Sequence, residues 1–284
     1  IDCGEGTQHQ LLRTRLSVMQ LRAIFITHVH GDHTFGLPGL LTSASMSGRS
    51  EPLPLIGPTQ LQPFIEAVLA NTDSNLGFEL PFINAESADF QWQDDAVRVT
   101  SFPLSHRVPC HAFRFEEARL ERKLLTDRLE ADGIEAGPDW GRLQKGQDLR
   151  LPNGRLARAT IPRPPRKVVV AGDNDTPELL GDACRDAHLL VHEATYTQDV
   201  ADRVGPWPQH SSALQVAGFA EAVQLPNLIL THFSSRYQFS GNRGPVIGDI
   251  AAEARQAYSG NLHLARDFQR YRLNQDLTLI EIDE

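Results

Sequence analysis

Short apolar runs that lead into chemically active side chains recur along this chain. Such runs, bounded by turn residues and rich in β-branched positions, predict buried strands. A strand that ends in a polar residue delivers that side chain from a rigid base. The runs are 21–26, 168–171, 189–191 and 228–230, and they lead into His28, Asp173, the pair His192 and Glu193, and His232, respectively.

The segments between these runs predict helices and further strands. Helical patterns cover 7–18, 59–70 with Thr59 as N-cap, and a stretch from the serines at 211 and 212 to about 223. Residues 80–83, 90–92 and 97–102 alternate like antiparallel strands, and 277–282 predict a last strand. The order of elements predicts two packed sheets with helices outside, and no linker divides the chain.

Residues 116–132 predict a charged helix with a narrow apolar stripe, which is too thin for a core helix. Gly133 and the pair Gly137–Pro138 end it. We therefore expect this segment to be an insertion that packs loosely on the main body.

The stretch Thr27–His33 contains four good metal ligands, His28, His30, Asp32 and His33. Imidazole together with carboxylate suits zinc or a similar first-row ion, and the dense spacing allows two ions. The alternative is a polar surface loop that is rich in histidine. Further ligand candidates downstream, including His106 after the strand 97–102, favour the metal site.

Composition sets limits on function. The 284 residues, 40% of them apolar, suffice for one large α/β domain or two smaller ones, and the net charge of −9 argues against indiscriminate nucleic-acid binding. Residues 149–172 are nevertheless basic and contain no acidic residue, so they form either a solvated loop or a phosphate-contacting surface. Their basic residues are Arg150, Arg155, Arg158, Arg163, Arg166 and Lys167.

Three scattered cysteines fit a reducing compartment without disulfide bonds, so we expect a cytoplasmic protein. No apolar run is long enough to cross a membrane. The chain begins with Ile1 inside the predicted end of a strand, which suggests that an N-terminal piece is missing.

A set of motifs in a fixed order resembles the ribonuclease Z family, the tRNA 3′-processing endonucleases of the metallo-β-lactamase superfamily. The His-x-His-x-Asp-His pattern marks only the superfamily, whereas the Asp-Cys-Gly-Glu-Gly-Thr-Gln, His-Glu-Ala-Thr and His-Ser-Ser elements are more specific. The motifs are 2–8, 28–33, His106, Gly172–Asp173, 192–195, 210–212 and 231–237.

The resemblance implies a single four-layer αββα sandwich over 1–284, without its first strands. It also implies two zinc ions per subunit, with manganese as another possible ion. His28, His30 and His106 would hold one ion, and Asp32, His33 and His232 the other. Asp173 would bridge them. Independently of the resemblance, the position of Asp2 at a strand end predicts either a helix-cap or turn residue, or a residue that orients a metal-binding histidine.

The resemblance further implies a catalytic group and a substrate surface. Asp32 would accept the proton of the attacking water, and His210, oriented by Glu193, would protonate the leaving oxygen. The alternatives are a Glu193 that caps backbone amides and a His210 that only starts a helix. Substrate contacts would come from Ser211, Ser235, Arg236 and Tyr237 at the site, and from Gly137 and Pro138 in a tRNA-gripping arm at about 116–149.

Partners follow from the same resemblance, namely precursor tRNA and a second copy of the chain in a homodimer. Two other functions stay open: a small-molecule phosphodiesterase or sulfatase of the same superfamily, and a metal-bound scaffold without catalysis. Asn174 stands where the family usually has threonine, and Ser212 also replaces a usual threonine. Both departures concern phosphate contacts and leave the ligand set intact.

Overall fold

The computed structural model describes residues 1–151, 153–157, 159–239 and 244–282. Arg158, one of the basic residues above, lies outside the described residues. The strands are β1 (Ile24–Phe25), β2 (Leu55–Gly57), β3 (Phe82–Asn84), β4 (Gln91–Gln93), β5 (Val97–Leu104), β6 (Cys110–Glu117), β7 (Lys123–Leu124), β8 (Thr160–Ile161), β9 (Lys167–Val170), β10 (Leu189–Glu193), β11 (Asn227–Thr231), β12 (Asn261–Leu264), β13 (Arg270–Leu273) and β14 (Leu279–Ile282).

The helices are spread along the chain, apart from the stretch β3 to β7, in which strands follow one another directly. Short 3₁₀ helices at Val18–Gln20 and Pro177–Leu180 join them. The α-helices are α1 (Thr7–Leu11), α2 (Gly31–Thr34), α3 (Leu37–Met46), α4 (Leu61–Asn71), α5 (Thr126–Ala131), α6 (Pro138–Gln144), α7 (Gly181–Cys184), α8 (Gln198–Val204), α9 (Ala213–Ala222) and α10 (Ile247–Ala257).

Two sheets form the centre of the fold. One is a parallel sheet in the order β1-β2-β3, and the other is a mixed sheet in the order β12-β11-β10-β9-β6-β5-β4. Side chains from both sheets share an apolar cluster in which Phe25 and Ile56 meet Val99 and Phe113. The rings of Phe25 and Phe113 meet edge-on at 5.2 Å, so the two sheets pack face to face.

Helices cover the outer face of each sheet. A cluster beneath α3 and α4 joins them to β1 and β2, and a larger cluster joins α9 and α10 to β9, β10 and β11. These layers confirm the predicted αββα sandwich. The hairpin β13–β14 covers the inner face of β10 and β11 through Leu273 and Leu279.

Several local predictions differ from the structure. Helix α1 ends at Leu11 rather than near residue 18, and α4 starts after Gln60, so Thr59 is not its N-cap. The strand predicted at 80–83 is β3, which pairs parallel to β2. Ser212 caps α9, because its hydroxyl accepts a hydrogen bond from the Gln215 amide.

The predicted helix at 116–132 is wrong in its first half. Strand β6 continues to Glu117, and only Thr126–Ala131 is helical. The segment 118–166 leaves the sheet between β6 and β9 and has its own apolar cluster around Leu129, Leu143 and Leu151. Its residues bury their apolar side chains against each other, which explains why the pattern on one helix looked too thin.

Among the described residues, no helix has the length and apolar character that a membrane-spanning helix needs.

Candidate metal centre

The predicted ligands meet at one edge of the sandwich because each follows a strand. Strands β9, β10 and β11 run parallel, so their carboxyl ends lie together and present Asp173, Glu193 and His232 at the same edge. His106 follows β5, which pairs through β6 with β9. The loop after β1 brings His28 and its neighbours to this edge from the facing sheet.

Three histidine nitrogens form the first group with one carboxylate oxygen. The Nε2 atoms of His28 and His106 each lie 3.1 Å from Nδ1 of His30. Oδ2 of Asp173 lies 3.6 Å from Nε2 of His28 and 3.7 Å from Nε2 of His106. Ligands at the zinc–nitrogen distance on a tetrahedron are about 3.3 Å apart, so these four atoms match one coordination sphere.

The second group uses the other oxygen of the same carboxylate. Oδ1 of Asp173 lies 3.6 Å from Nε2 of both His33 and His232. Oδ2 of Asp32 lies 3.5 Å from Nε2 of His33 and 3.4 Å from Nε2 of His232. Asp173 thus presents one oxygen to each group, which is the arrangement of a bridging carboxylate. All seven predicted ligands are brought together.

Hydrogen bonds on the far side of the rings determine which nitrogens carry protons. Nδ1 of His106 lies 3.0 Å from the carbonyl oxygen of Gln209, and a carbonyl can only accept, so Nδ1 holds the proton. The Thr27 hydroxyl donates to the Asp2 carboxylate and therefore accepts from Nδ1 of His28 at 3.0 Å. Burial lowers the pKa of His28 to about 3 and also lowers the pKa of His106. Both rings are then neutral, and each Nε2 turns a lone pair inward.

The second group repeats this pattern. Nδ1 of His33 donates to the Asp2 carboxylate at 2.8 Å. The Thr195 hydroxyl donates to the Glu193 carboxylate at 2.6 Å, so it accepts from Nδ1 of His232 at 3.3 Å. Ligand histidines in metal sites are held in this way through their outer nitrogen.

Negative charge at the centre calls for a cation. Nε2 of His33 is buried and has no hydrogen-bond partner in the described part of the chain. Burial opposes protonation of His33, but Asp173, Asp2 and Asp32 outweigh it and raise its pKa to about 12. The pKa values of Asp32 and Asp173 are strongly lowered; the hydrogen bond to His232 and the nearby His33 ring do this for Asp32, whereas for Asp173 the neighbouring histidines outweigh burial. Inward lone pairs with ionised carboxylates fit divalent ions, so the residues present match the implied metals.

The Glu193 carboxylate lies on the opposite wall of the site and accepts hydrogen bonds from several residues there. Five donors reach it: its Oε2 accepts from the amide and hydroxyl of Thr195, and its Oε1 accepts from the amides of Asn174 and Ser211 and from Nδ1 of His210 at 3.2 Å. Glu193 therefore caps backbone amides and also holds His210, so both readings of this residue describe part of its role. His192 faces away from the ligands and accepts a hydrogen bond from the Asn174 side chain, so of the two neighbours only Glu193 reaches the site.

His210 is also near enough to metal ligands to be considered one itself. Its Nδ1 lies 3.8 Å from Oδ2 of Asp173, and the three residues Asp173, His210 and His232 could form a ligand group. Nδ1 is closer to Glu193 than to Asp173, and a proton shared with Glu193 is not free to be replaced by an ion. The geometry therefore favours His210 as a proton carrier beside the metal centre.

Backbone geometry around the centre is unusual. Asp2, Gln209 and His232 have positive φ angles of 54°, 54° and 56°, a region that residues other than glycine rarely adopt. The N-terminal loop also approaches closely: a Cβ on Gly4 would lie 2.1 Å from the carbonyl oxygen of Asp32. The fold thus holds ligand-bearing loops in conformations that isolated peptides would seldom populate.

The predicted substrate residues divide into two groups. Ser235 and Arg236 are exposed on the loop after His232. Ser211 is fully buried, and its hydroxyl donates to the carbonyl of Asn174. The Tyr237 hydroxyl is bound by the amide and hydroxyl of Thr197. This geometry favours structural roles for Ser211 and Tyr237 instead of substrate contact.

Gly137 and Pro138 lie at the start of α6 in the segment 118–166. Arg266 and Asp267 line the same surface groove as His232 and Ser235.

Some contributors to the site escaped the sequence reasoning. Asn174 is fully buried and accepts from the Ser105 amide beside His106, in addition to its contacts with His192 and Glu193. The sequence showed it only as a departure from a family pattern. Thr27 and Thr195 lie inside recognised motifs, but only the structure shows that the hydroxyl of each one contacts Nδ1 of a candidate ligand histidine.

Comparisons with known proteins fit this geometry. The chain is 64% identical to a ribonuclease Z from Marinobacter nauticus over 287 residues, covering 100% of this chain and 89% of the relative. It is 53% identical to a ribonuclease Z from Pseudomonas putida strain W619, covering 97% of this chain and 87% of the relative. A family model described as anti-Pycsar protein Apyc1 matches residues 1–103, which is less than half of the chain.

Solved structures show the same fold. The crystal structure of the short form of human tRNase Z is 27% identical, with a TM-score of 0.63, and the match covers 100% of this chain and 87% of that one. The metallo-β-lactamase fold protein YhfI from Bacillus subtilis, at 18% identity and a TM-score of 0.62, shares the fold; 94% of this chain and 83% of that one are covered. The degree of identity over nearly the whole length, together with the ligand cluster, shows that this chain is a member of the ribonuclease Z family and has the metallo-β-lactamase fold.

Proposed function

We propose that this chain is a metal-dependent endoribonuclease that removes the 3′ trailer from precursor tRNA and leaves a 3′ hydroxyl. The observation that carries the proposal is a carboxylate-bridged pair of ligand groups with a histidine–glutamate pair beside it. The relatives named ribonuclease Z and tRNase Z support the substrate.

The residues would hold two divalent ions, zinc in the first instance and manganese as an alternative. His28, His30 and His106 would hold one, and Asp32, His33 and His232 the other, with Asp173 between them. Bound ions of this kind activate water near neutral pH and offset the charge of a phosphodiester under attack.

The chain's own residues would move the protons. Asp32 has an exposed side chain, and only its Oδ2 contacts His33 and His232, so it can accept the proton of the attacking water. His210 would donate a proton from Nε2 to the leaving 3′ oxygen, since Nδ1 is held by Glu193. The buried Glu193 carboxylate supplies the counter-charge for the imidazolium and fixes the ring.

Phosphate groups next to the cut would be bound at the rim. The Arg236 guanidinium lies 5.8 Å from the Tyr196 ring, and that ring meets His210 edge-on at 6.1 Å, so Arg236 is close to the proposed acid. Ser235 lines the groove beside His232. Arginine suits phosphate because its planar donors match two oxygens.

The segment 118–166 would form the arm that grips the tRNA body, with Gly137 and Pro138 at the start of α6. It contains eleven Lys or Arg against seven Asp or Glu, a net charge of +4 in a chain of net charge −9. The amide of Glu117 donates to the carbonyl of Arg166 at 3.1 Å, so the segment leaves and rejoins the body at one point. A compact basic projection on a narrow base fits backbone contact with RNA.

We also propose a homodimer and a cytoplasmic location. The neighbouring elements α1 and α3, with the turns that follow them, expose Leu12, Leu16 and Met46, which a second copy would cover. The three cysteines are free and buried, as suits a reducing compartment. Sedimentation of the native chain and of Leu16→Glu tests the dimer.

Cleavage of a 3′-extended precursor tRNA tests the function. The metal-loaded chain is compared with a variant in which a short Gly-Ser linker replaces residues 119–164. The expected result is one cut after the unpaired nucleotide that follows the acceptor stem, with a 3′ hydroxyl upstream. The arm deletion should raise KM for the tRNA strongly and leave hydrolysis of a small activated phosphodiester unchanged.

The main alternative is a small-molecule phosphodiesterase or sulfatase. The match of residues 1–103 to the Apyc1 family model shows that the scaffold around the first ligands is shared more widely. Hydrolysis of small phosphodiesters without any cut in precursor tRNA would favour that alternative.

A further inference from the structure

Trp207 is the most exposed tryptophan or phenylalanine among the described residues, with 76% of its surface accessible. The other two tryptophans are packed: Trp92 meets Phe25 edge-on, and Trp140 lies in the cluster of the segment 118–166. A solvent-exposed indole leaves a large apolar surface in contact with water instead of with other side chains. Single exposed apolar residues are common, so exposure alone does not assign a binding role to Trp207.

The loop that carries Trp207 is tied directly to the metal centre. The Gln209 amide donates to the Pro206 carbonyl at 3.1 Å and closes a turn with Trp207 and Pro208 at its tip. The Gln209 carbonyl accepts from Nδ1 of His106 at 3.0 Å, and the next residue is His210. Two prolines restrict the backbone on either side of the tryptophan. The indole is therefore held at the site although little packs on it.

A positive charge accompanies the ring. The Arg107 guanidinium lies 5.8 Å from the centroid of Trp207, a cation–π distance. Arg107 follows His106, and its charge contributes, after burial and His106, to the lowered pKa of His30. The pair therefore joins a flat apolar face and a guanidinium at the edge of the metal centre. Tryptophan and arginine together are typical of surfaces that become buried on binding.

We propose that Trp207 and Arg107 form a stacking platform for one nucleobase next to the scissile phosphate, with the base on the indole and Arg107 on the adjoining phosphate. The inference rests on the proposed function, because it assumes an RNA strand across the metal centre. Bases of single-stranded RNA stack on aromatic rings with little regard to sequence. Such a platform would orient the strand without selecting a base, which suits an enzyme whose substrates differ in sequence at the cut.

Abasic substrates provide the test. Three precursor tRNAs are compared: one unmodified, one lacking the base directly upstream of the cut, and one lacking the base directly downstream. The metal-loaded chain and its Trp207→Leu variant are assayed on each, with metal content measured in parallel. Trp207→Leu should lower kcat/KM on the unmodified substrate about 5- to 100-fold, the range for one base–aromatic stack. On one of the two abasic substrates, the variant and the native chain should be equal within about twofold, and that substrate identifies the stacked base.

Two further variants separate stacking from general damage. Trp207→Phe keeps a flat ring and should recover most of the lost kcat/KM, whereas Ile280→Ala, an exposed apolar residue on β14, should have no effect. An unchanged kcat/KM in Trp207→Leu, or the same loss on all three substrates, would overturn the platform. A native chain that hydrolyses a small phosphodiester but cuts no precursor tRNA would overturn the proposed function and the platform with it.

Discussion

Two carboxylate networks, one centred on Asp2 and one on Glu193, lie on opposite walls of the site, and in each of them one threonine donates two hydrogen bonds to the carboxylate. Oδ1 of Asp2 accepts from the Thr27 amide and Oδ2 from the Thr27 hydroxyl, whereas the amide and hydroxyl of Thr195 both donate to Oε2 of Glu193. In both cases the threonine hydroxyl then supports Nδ1 of a candidate metal ligand, His28 on one wall and His232 on the other.

The networks differ in what else they hold. Asp2 directly holds His33, a second candidate ligand, with a side chain that is 22% exposed. Glu193 is 2% exposed and directly holds His210, which lies outside the two main ligand groups. We propose that the Asp2 network serves metal affinity, whereas the Glu193 network serves proton transfer.

Asp173 lies between the networks, and its loss should have the largest effect. Asp173→Asn removes the charge shared by both ligand groups, so both metal content and RNA cleavage should collapse. We expect kcat/KM to fall on the order of a thousandfold or more, since bound ions supply several kcal/mol of transition-state stabilisation. Metal analysis and cleavage assays check this, with Asp175→Asn as the matched control. Retention of two ions per chain would contradict the bridging role.

Loss of the proposed proton carrier, His210, should reduce turnover and leave metal content unchanged. His210→Ala should lower kcat by about 10²- to 10⁴-fold, the usual contribution of a positioned acid. Glu193→Gln should act through the same step, so the double variant should be little worse than His210→Ala alone. Single-turnover cleavage and metal content are the measurements. Multiplicative losses in the double variant would show that Glu193 has a separate role.

Asp2→Asn should weaken metal binding and spare the chemistry. Loss of an outer hydrogen-bond partner typically costs about 10- to 100-fold in metal affinity. Excess zinc should therefore restore kcat in Asp2→Asn but not in Glu193→Gln. Zinc titration of both variants provides the measurement. Equal rescue of the two variants by zinc would remove the distinction between the networks.

His192 should give a smaller effect that depends on pH. Burial lowers the pKa of His192, so below about pH 6.5 the unfolded chain binds a proton that the folded chain does not. Stability should therefore fall as pH decreases from 6.5 to 5, by at most about 2 kcal/mol for this one group. The free energy of unfolding of His192→Gln should vary less with pH than that of the native chain. His9→Gln, at an exposed position, is the control and should keep the native pH dependence. A His192→Gln profile that is identical to the native one would contradict the assignment.

The sequence anticipated the parts of the site that depend on strand ends. A buried apolar run followed by a polar residue predicts a strand and also places the polar side chain at the end of that strand. His28, Asp173 and His232 could therefore be proposed together as ligands. The ligand set itself stays a prediction, since metal binding is the measurement that tests it. The αββα layers followed from the same alternation of apolar runs and helices and from the family resemblance.

Sequence reasoning was weaker where a hydroxyl could face either substrate or protein. Ser211 and Tyr237 belong to recognised motifs, yet in the structure their hydroxyls form hydrogen bonds within the protein, with Asn174 and Thr197 respectively. The helix predicted at 116–132 failed for a related reason: the apolar partners of Leu129 lie at Leu143 and Leu151, too far along the chain for a helical pattern to show.

Residue types and their spacing along the chain thus established the fold class, the family and the candidate ligands, because strand ends and metal chemistry are local properties. The pairing of Thr27 with Asp2, of Thr195 with His232, and of Arg107 with Trp207 was decided only in three dimensions. Strand register and loop closure bring these residues together across gaps in sequence. Since a hydrogen bond or a stacked ring depends on separations of a few ångströms, such contacts arise from the packed chain and not from any one segment of it.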